Sequence, residues 1–139
     1  MIRGITAGNF DVIHPGYVRM FNDAKENACD HLIIALHVDP TIERPEKAKP
    51  ILSAKERTEV LMSLSAVDEV VYYNTEAELI EVLEKARPHI RILGTDYKGK
   101  KFTGSELSIP IYYHRRDHNW STTRFKNEIT EQVLKQRNM

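Results

Sequence analysis

A doubly wound α/β domain with a mainly parallel sheet is the fold this sequence predicts, on two observations. Short apolar runs that stop at glycine, asparagine or proline alternate along the chain with longer segments whose apolar residues recur at helical spacing. One of those runs, His31 to Val38, is almost continuously apolar, as a strand covered on both faces must be. Such alternation lays helices on both sides of a parallel sheet and puts ligands beyond the carboxyl ends of its strands.

Each element follows from local chemistry. Ile2 to Ala7 ends in Gly8-Asn9 and reads as a first strand closed by a tight turn. From Tyr17 onward, Tyr17, Met20, Phe21, Ala24 and Ala28 share one helical face, opposite Arg19, Asn22, Asp23, Lys25 and Glu26. After the second strand, His31 to Val38, residues 39–52 carry Pro40, Pro45 and Pro50 among charged groups and predict a long loop. Ser53-Ala54-Lys55-Glu56 is a capping-box pattern, in which hydroxyl and carboxylate satisfy orphan amides of a helix start, and Val60, Leu61, Leu64 and Val67 form the expected buried stripe. Asp68 to Tyr73 is the third strand. Thr75-Glu76-Ala77-Glu78 repeats the capping pattern for a helix with Leu79, Ile80, Leu83 and Ala86 inward, stopped by Pro88. Ile90 to Leu93 is the fourth strand, Ile109 to Tyr113 the fifth, and a last helix starts near Ser121 with Phe125, Ile129 and Val133 on one side.

With 139 residues the chain predicts a single domain, 1–139, with one core. Twenty Lys+Arg balance twenty Asp+Glu, for a formal net charge of +0, which argues against a chain that coats nucleic acid or an acidic membrane. The short basic run Lys98-Gly99-Lys100-Lys101 is too small an electrostatic footprint to change that. Cys29 is the single cysteine, so an internal disulfide is excluded and a reducing, cytoplasmic setting is expected, with Cys29 as a small packed residue. No leader and no apolar stretch near the roughly 18 residues of a membrane span is expected.

Two loops concentrate chemistry. Gly8-Asn9-Phe10-Asp11-Val12-Ile13-His14-Pro15-Gly16-Tyr17 brings a histidine and two glycines to a helix start whose first amides lack partners, a ready anion site. His114-Arg115-Arg116-Asp117-His118-Asn119-Trp120-Ser121-Thr122-Thr123 sets arginines and hydroxyls at a second helix start, fixed donors suited to phosphate oxygens. Trp120 is expected to pack beneath the last helix or to stack on a base.

Gly8-x-Phe10-Asp11 followed by His14-Pro15-Gly16, and Arg116 five residues before Ser121-Thr122-Thr123, together resemble the nucleotidyltransferase superfamily that includes bacterial glycerol-3-phosphate cytidylyltransferase and the heptose-phosphate adenylyltransferases. Ala66-Val67-Asp68-Glu69-Val70 and Gly94-Thr95-Asp96-Tyr97 also look like family positions. The resemblance implies a Rossmann-like sheet of about five strands and transfer of a nucleoside monophosphate from CTP or ATP to a small phosphorylated acceptor, with CTP leading. It implies His14, Tyr17, Lys47 and Arg116 in catalysis. It places Gly8, Asn9, Phe10, Asp11, Gly16, Lys49, Arg57, Asp96, Ser121, Thr122 and Thr123 at the nucleotide or acceptor. Mg2+ carried mainly by the phosphates is the implied cofactor, as hard oxygen ligands require, and a homodimer is compatible with the family. The pattern departs from the family in one important place: where His-x-Gly-His has its second histidine stands Tyr17, whose neutral hydroxyl cannot replace an imidazolium. Three outcomes follow: Tyr17 substitutes at a slower rate, another group such as His118 or His114 reaches in, or the domain is a nucleotide-binding module with reduced or lost catalysis.

Overall fold

A computed structural model describes residues 1–138. The elements run β1 (Arg3–Gly8), α1 (Pro15–Asn27), β2 (His31–His37), α2 (Ala54–Ser63), β3 (Glu69–Tyr73), α3 (Glu76–Ala86), β4 (Ile90–Gly94), β5 (Ile111–His114) and α4 (Thr122–Arg137), with a single 3-10 turn at Thr95–Tyr97. The sheet order is β3-β2-β1-β4-β5, and every neighbouring pair is parallel. Strand order therefore reverses between β1 and β4, and the cleft outside their carboxyl ends is where such a sheet receives ligands.

The continuous apolar run of β2 is covered on both faces: Leu32, Ile33, Ile34, Ala35 and Leu36 are buried. Alternate residues feed two core layers. Leu32, Ile34 and Leu36 pack with Phe21 of α1 and Leu61 of α2, while Ile33 and Ala35 pack with Leu79 and Leu83 of α3. Burial of each large aliphatic group stabilises the fold by about 2 kcal/mol, which holds the strand ends in place for the cleft.

Both capping boxes form. Ser53 accepts from the Glu56 amide at 3.1 Å while Glu56 accepts from the Ser53 amide at 2.9 Å, and Thr75 and Glu78 exchange the equivalent bonds at 3.1 Å each. Helix α1 begins earlier than its apolar stripe, at Pro15, because proline at the first helical position has a preset φ and no amide to leave unpaired.

Three expectations are corrected. Strand β5 starts at Ile111 rather than Ile109, because Pro110 has no amide to donate to the ladder and only its carbonyl pairs, with Arg91. Val60 faces solvent; the buried stripe of α2 is Arg57 and Leu61. Helix α4 buries no residue fully, and Ile129 and Val133 are exposed while Phe125 is half-buried, because none of the other described elements packs over that face of α4. Cys29 is buried, and that burial pushes its thiol pKa up. Among the described residues no helix is long and apolar enough to cross a membrane.

Candidate nucleotide site

The turn after β1 separates its backbone from its side chains. Phe10 takes a left-handed φ of 46°, a conformation a bulky residue adopts only when its surroundings enforce it. Its buried ring meets Tyr17 and Phe21 edge-on at 5.0 and 5.5 Å. Gly8 makes room, since a Cβ there would sit 3.1 Å from that ring. Gly8, Asn9 and Phe10 line the cleft.

Two residues expected at the ligand are turned into the protein instead. Asp11 is buried and accepts hydrogen bonds from the amides of Ile51 and Leu52 at 2.8 and 2.9 Å and from Lys126 Nζ at 2.6 Å. Burial alone would raise its carboxyl pKa, but these bonds outweigh burial and hold it below the usual range. Arg57, 1% exposed, donates to the carbonyls of Asn9 at 3.0 Å, His37 at 2.7 Å, Val38 at 2.7 Å and Leu52 at 3.1 Å. It therefore clamps the two loops that frame the cleft and does not itself line the cleft. Both corrections share a reason: backbone groups in the connections, the carbonyls at or just after the ends of β1 and β2 for Arg57 and the amides just before α2 for Asp11, have no partner in secondary structure.

His14 is the centre of what remains. It is 4% exposed, stacked on Tyr17 with ring centroids 4.1 Å apart and nearly parallel to Trp120 at 5.9 Å, and neither of its ring nitrogens has a partner. Burial, then the repulsion of positive charge on His118 and Arg116, lowers its pKa. Gly16 is required here by approach: a Cβ at that position would lie 2.7 Å from Cε1 of His118 and 2.9 Å from Cε1 and Nδ1 of His14. His118 and His14 thus meet over the first turn of α1.

The backbone decides what His118 offers. The Trp120 amide donates to His118 Nδ1 at 3.1 Å, so the neutral ring carries its hydrogen on Nε2, which is buried without a partner. Burial, then Arg116 and Arg19, lower the His118 pKa as well. His114 is set the opposite way. Asp23 holds its Nδ1 at 2.6 Å, and that carboxylate also takes the Tyr112 hydroxyl at 2.8 Å. Burial would raise the Asp23 pKa, but the bonds from His114, Asn27 and Tyr112 bring it down, so Nδ1 of His114 carries the hydrogen and its buried Nε2 presents a lone pair. Of the two histidines expected to reach in, His118 in its neutral form presents a donor on Nε2, while the neutral form of His114 presents an acceptor there.

Tyr17 occupies the departing position and is already engaged: its hydroxyl bonds Thr122 Oγ1 at 2.9 Å. Burial raises its pKa, so it stays neutral and ties the start of α1 to the start of α4. At α4, Ser121 caps the Arg124 amide at 3.1 Å, leaving the first amides of the helix without intrahelical partners. Arg116 donates to the Trp120 carbonyl at 2.7 Å and lies 3.5 Å from Asp96 on the 3-10 turn.

These groups share one cleft of about 1050 Å³. Its walls include Gly8, Asn9, Phe10, His14, Gly16, Tyr17, Asp96, Arg116, Ser121, Thr122, Thr123 and, from the exposed loop, Lys47. Lys49 is exposed and does not line it: two residues along an irregular loop its side chain leaves the wall. Trp120 packs beneath α4 against Phe125 with centroids 5.7 Å apart. Sequence reasoning missed Arg91, a buried arginine on the same cleft, whose available signal was a lone charge inside the apolar run Ile90 to Leu93. It also missed the Asp23–His114 pair, which joins residues 91 positions apart and leaves no local signal.

An open parallel sheet with two unsatisfied helix starts over one cleft defines an α/β domain that handles phosphate-bearing ligands. The chain belongs to the cytidylyltransferase-like family, whose model matches residues 5–133, and is by that membership a nucleotidyltransferase. It is 36% identical over 107 residues to the bifunctional protein HldE of Caulobacter vibrioides, covering 76% of this chain and 22% of that protein. It is 37% identical over 105 residues to HldE of Paramagnetospirillum magneticum, covering 75% and 21%. The chain thus spans about a fifth of the length of these curated relatives. The crystal structure of the lipopolysaccharide core biosynthesis protein from Thermoplasma volcanium shares the fold, with a TM-score of 0.70, 24% identity, and coverage of 85% of this chain and 99% of that one.

Proposed function

We propose that the chain transfers a nucleoside monophosphate from a nucleoside triphosphate to a small phosphorylated acceptor. An acceptor phosphate oxygen attacks the α-phosphorus, the bond to the bridging oxygen of the β-phosphate breaks, and pyrophosphate leaves with that oxygen's charge. The acceptor is already a nucleophile, so catalysis reduces to alignment and stabilisation of charge on the α-phosphoryl group. The observation that carries the reading is the set of unpartnered imidazole nitrogens, both of His14 and Nε2 of His118, at the start of α1 beside Arg116. Burial and neighbouring positive charge lower the pKa of both rings, and the negative charge of a polyphosphate beside them favours their protonated forms.

Arg116 and the first amides of α4 hold triphosphate oxygens, Gly8, Asn9 and Phe10 offer backbone, Asp96 lies toward the base or sugar, and Lys47 closes over the charge. Mg2+ neutralises phosphate charge. Its oxygens are expected to come mainly from the nucleotide phosphates and water, as a hard cation requires. The exposed Ile129, Val133 and Leu134 of α4 support a homodimer, which sedimentation velocity tests.

For the donor, the brevity and the front half of the chain favour CTP with a polyol phosphate. Gly94-Thr95-Asp96-Tyr97-Lys98, which resembles the heptose-phosphate adenylyltransferases, together with the similarity to HldE, favours ATP with a sugar phosphate. Pyrophosphate release is measured with CTP and ATP, each paired with glycerol 3-phosphate and a set of sugar phosphates. Turnover with one donor is expected; nucleotide binding without pyrophosphate from any pair, at stoichiometric enzyme, leaves the non-catalytic binding module.

A further inference from the structure

The fold buries two arginines and treats them differently. Every guanidinium nitrogen of Arg57 donates to a backbone carbonyl. Arg91, 5% exposed, makes a single hydrogen bond, from Nη1 to the Thr103 carbonyl; its Nε has no partner, and among the described residues it forms no ion pair with a carboxylate. The side chain lies on the α3 side of the sheet, its guanidinium 5.1 Å from the centroid of the Phe102 ring, and it forms part of the cleft wall. A Cβ on Gly104 would sit 2.8 Å from Leu83 of α3 and 3.1 Å from Arg91 Nη1, and Gly104 has a φ of 86°, so the turn at 102–104 is shaped around the charge.

A buried charge without counter-charge destabilises the fold unless something compensates it. An arginine on the wall of a ligand cleft with guanidinium N–H groups still unpaired is compensated by a bound oxyanion, the group arginine grips best. Tyr73, also on this wall, has its pKa pushed up to about 12 by burial and so keeps a neutral hydroxyl available to donate.

We propose that Arg91, with Tyr73, is the subsite for an oxyanion group of the acceptor, placed on the α3 side of the cleft while His14 and Arg116 take the nucleotide phosphates on the α1 and α4 side. The substrate class follows: a small molecule carrying phosphate, with or without a second phosphate or a carboxylate, rather than a neutral alcohol. The inference rests on the transfer reaction proposed above for the role of its ligand.

The test uses the full chain with Arg91→Met and Arg91→Lys. Methionine removes an uncompensated buried charge at similar length, so its Tm is expected to equal or exceed that of the wild type. With the donor the wild type uses, Arg91→Met is expected to raise the acceptor KM about 10- to 100-fold, the loss of a charge-assisted hydrogen bond, and to leave the nucleotide KM nearly unchanged. Arg91→Lys, which keeps the charge but loses the fork, falls between. Acceptors with one phosphate, two phosphates, or a phosphate and a carboxylate identify the group held by which KM moves most. An unchanged acceptor KM, or equal rises in both KM values, overturns the subsite.

If the wild type turns over no pair, the reaction fails and the subsite is judged separately by thermal shift with inorganic phosphate. A larger shift for the wild type than for Arg91→Met supports it, and equal shifts overturn it.

Discussion

Helices α1 and α4 present their starts to the same cleft, yet they are held in opposite ways. Helix α1 is anchored by burial: Gly16, Phe21 and Ala24 are in the core, and Pro15 presets its first turn. Helix α4 buries no residue fully and is held by individual polar links, Lys126 to Asp11 at 2.6 Å and Tyr17 to Thr122 at 2.9 Å, with its cap at Ser121. Core packing makes the His14 side of the cleft a fixed wall. A few exchangeable hydrogen bonds make the Arg116 side the one able to open and close, since local stability follows buried apolar contact.

The contrast yields predictions of decreasing size. His14→Ala is expected to lower kcat/KM by about two to three orders of magnitude, the usual loss for a preorganised donor at developing charge, while Tm changes little, checked by initial rates and a melt. Arg57→Met leaves the carbonyls of Asn9, His37 and Val38 buried and unpaired; at roughly 1 kcal/mol or more each, unfolding in urea should show a loss of about 3 kcal/mol or more. The fixed wall fails as a unit in that variant. Lys126→Met strips one bond from the buried Asp11 and should cost about 1 to 2 kcal/mol, with faster amide exchange in α4 than in α1. Equal acceleration in both helices would break the comparison. Tyr17→Phe removes one hydroxyl bond, about 1 kcal/mol, and should lower turnover less than His118→Ala does, because Tyr17 ties helices together while His118 presents the free donor.

The smallest effect is on pH dependence. His14 faces His118 and Arg116, and His118 faces Arg116, Arg19, Asp117 and His114; both have folded pKa values below that of an ordinary histidine, about 6.5. The unfolded chain therefore binds more protons than the folded one as pH falls from about 6.5 toward the folded values, and stability present above that window is lost within it. Thermal melts of the wild type should fall over this range, and His14→Asn should flatten the fall.

What was legible in the sequence was local. Capping boxes, the continuous apolar run of β2 and the two loops rich in glycine, histidine and arginine are defined by neighbours within a few residues, and their fold follows from short-range chemistry. Arg57 and Asp11 could not be assigned that way. Their partners lie up to 48 residues away for Arg57 and 115 for Asp11, and a charged residue near a signature motif looks alike whether it meets substrate or holds carbonyls. The same limit hid Arg91, whereas the tautomer of His118 is set only two residues away, by the amide of Trp120, and depends on how the chain turns there. For α4, helical periodicity was correct about which residues share a face and silent about whether anything packs on it.

Amide hydrogen exchange with and without a saturating nucleoside triphosphate and Mg2+ tests most directly whether the two helix starts hold the polyphosphate between them. The account predicts protection at both starts, around Gly16 to Val18 in α1 and Thr122 to Phe125 in α4, with the larger gain in α4 because it begins with less. Tight binding that protects neither start would contradict it.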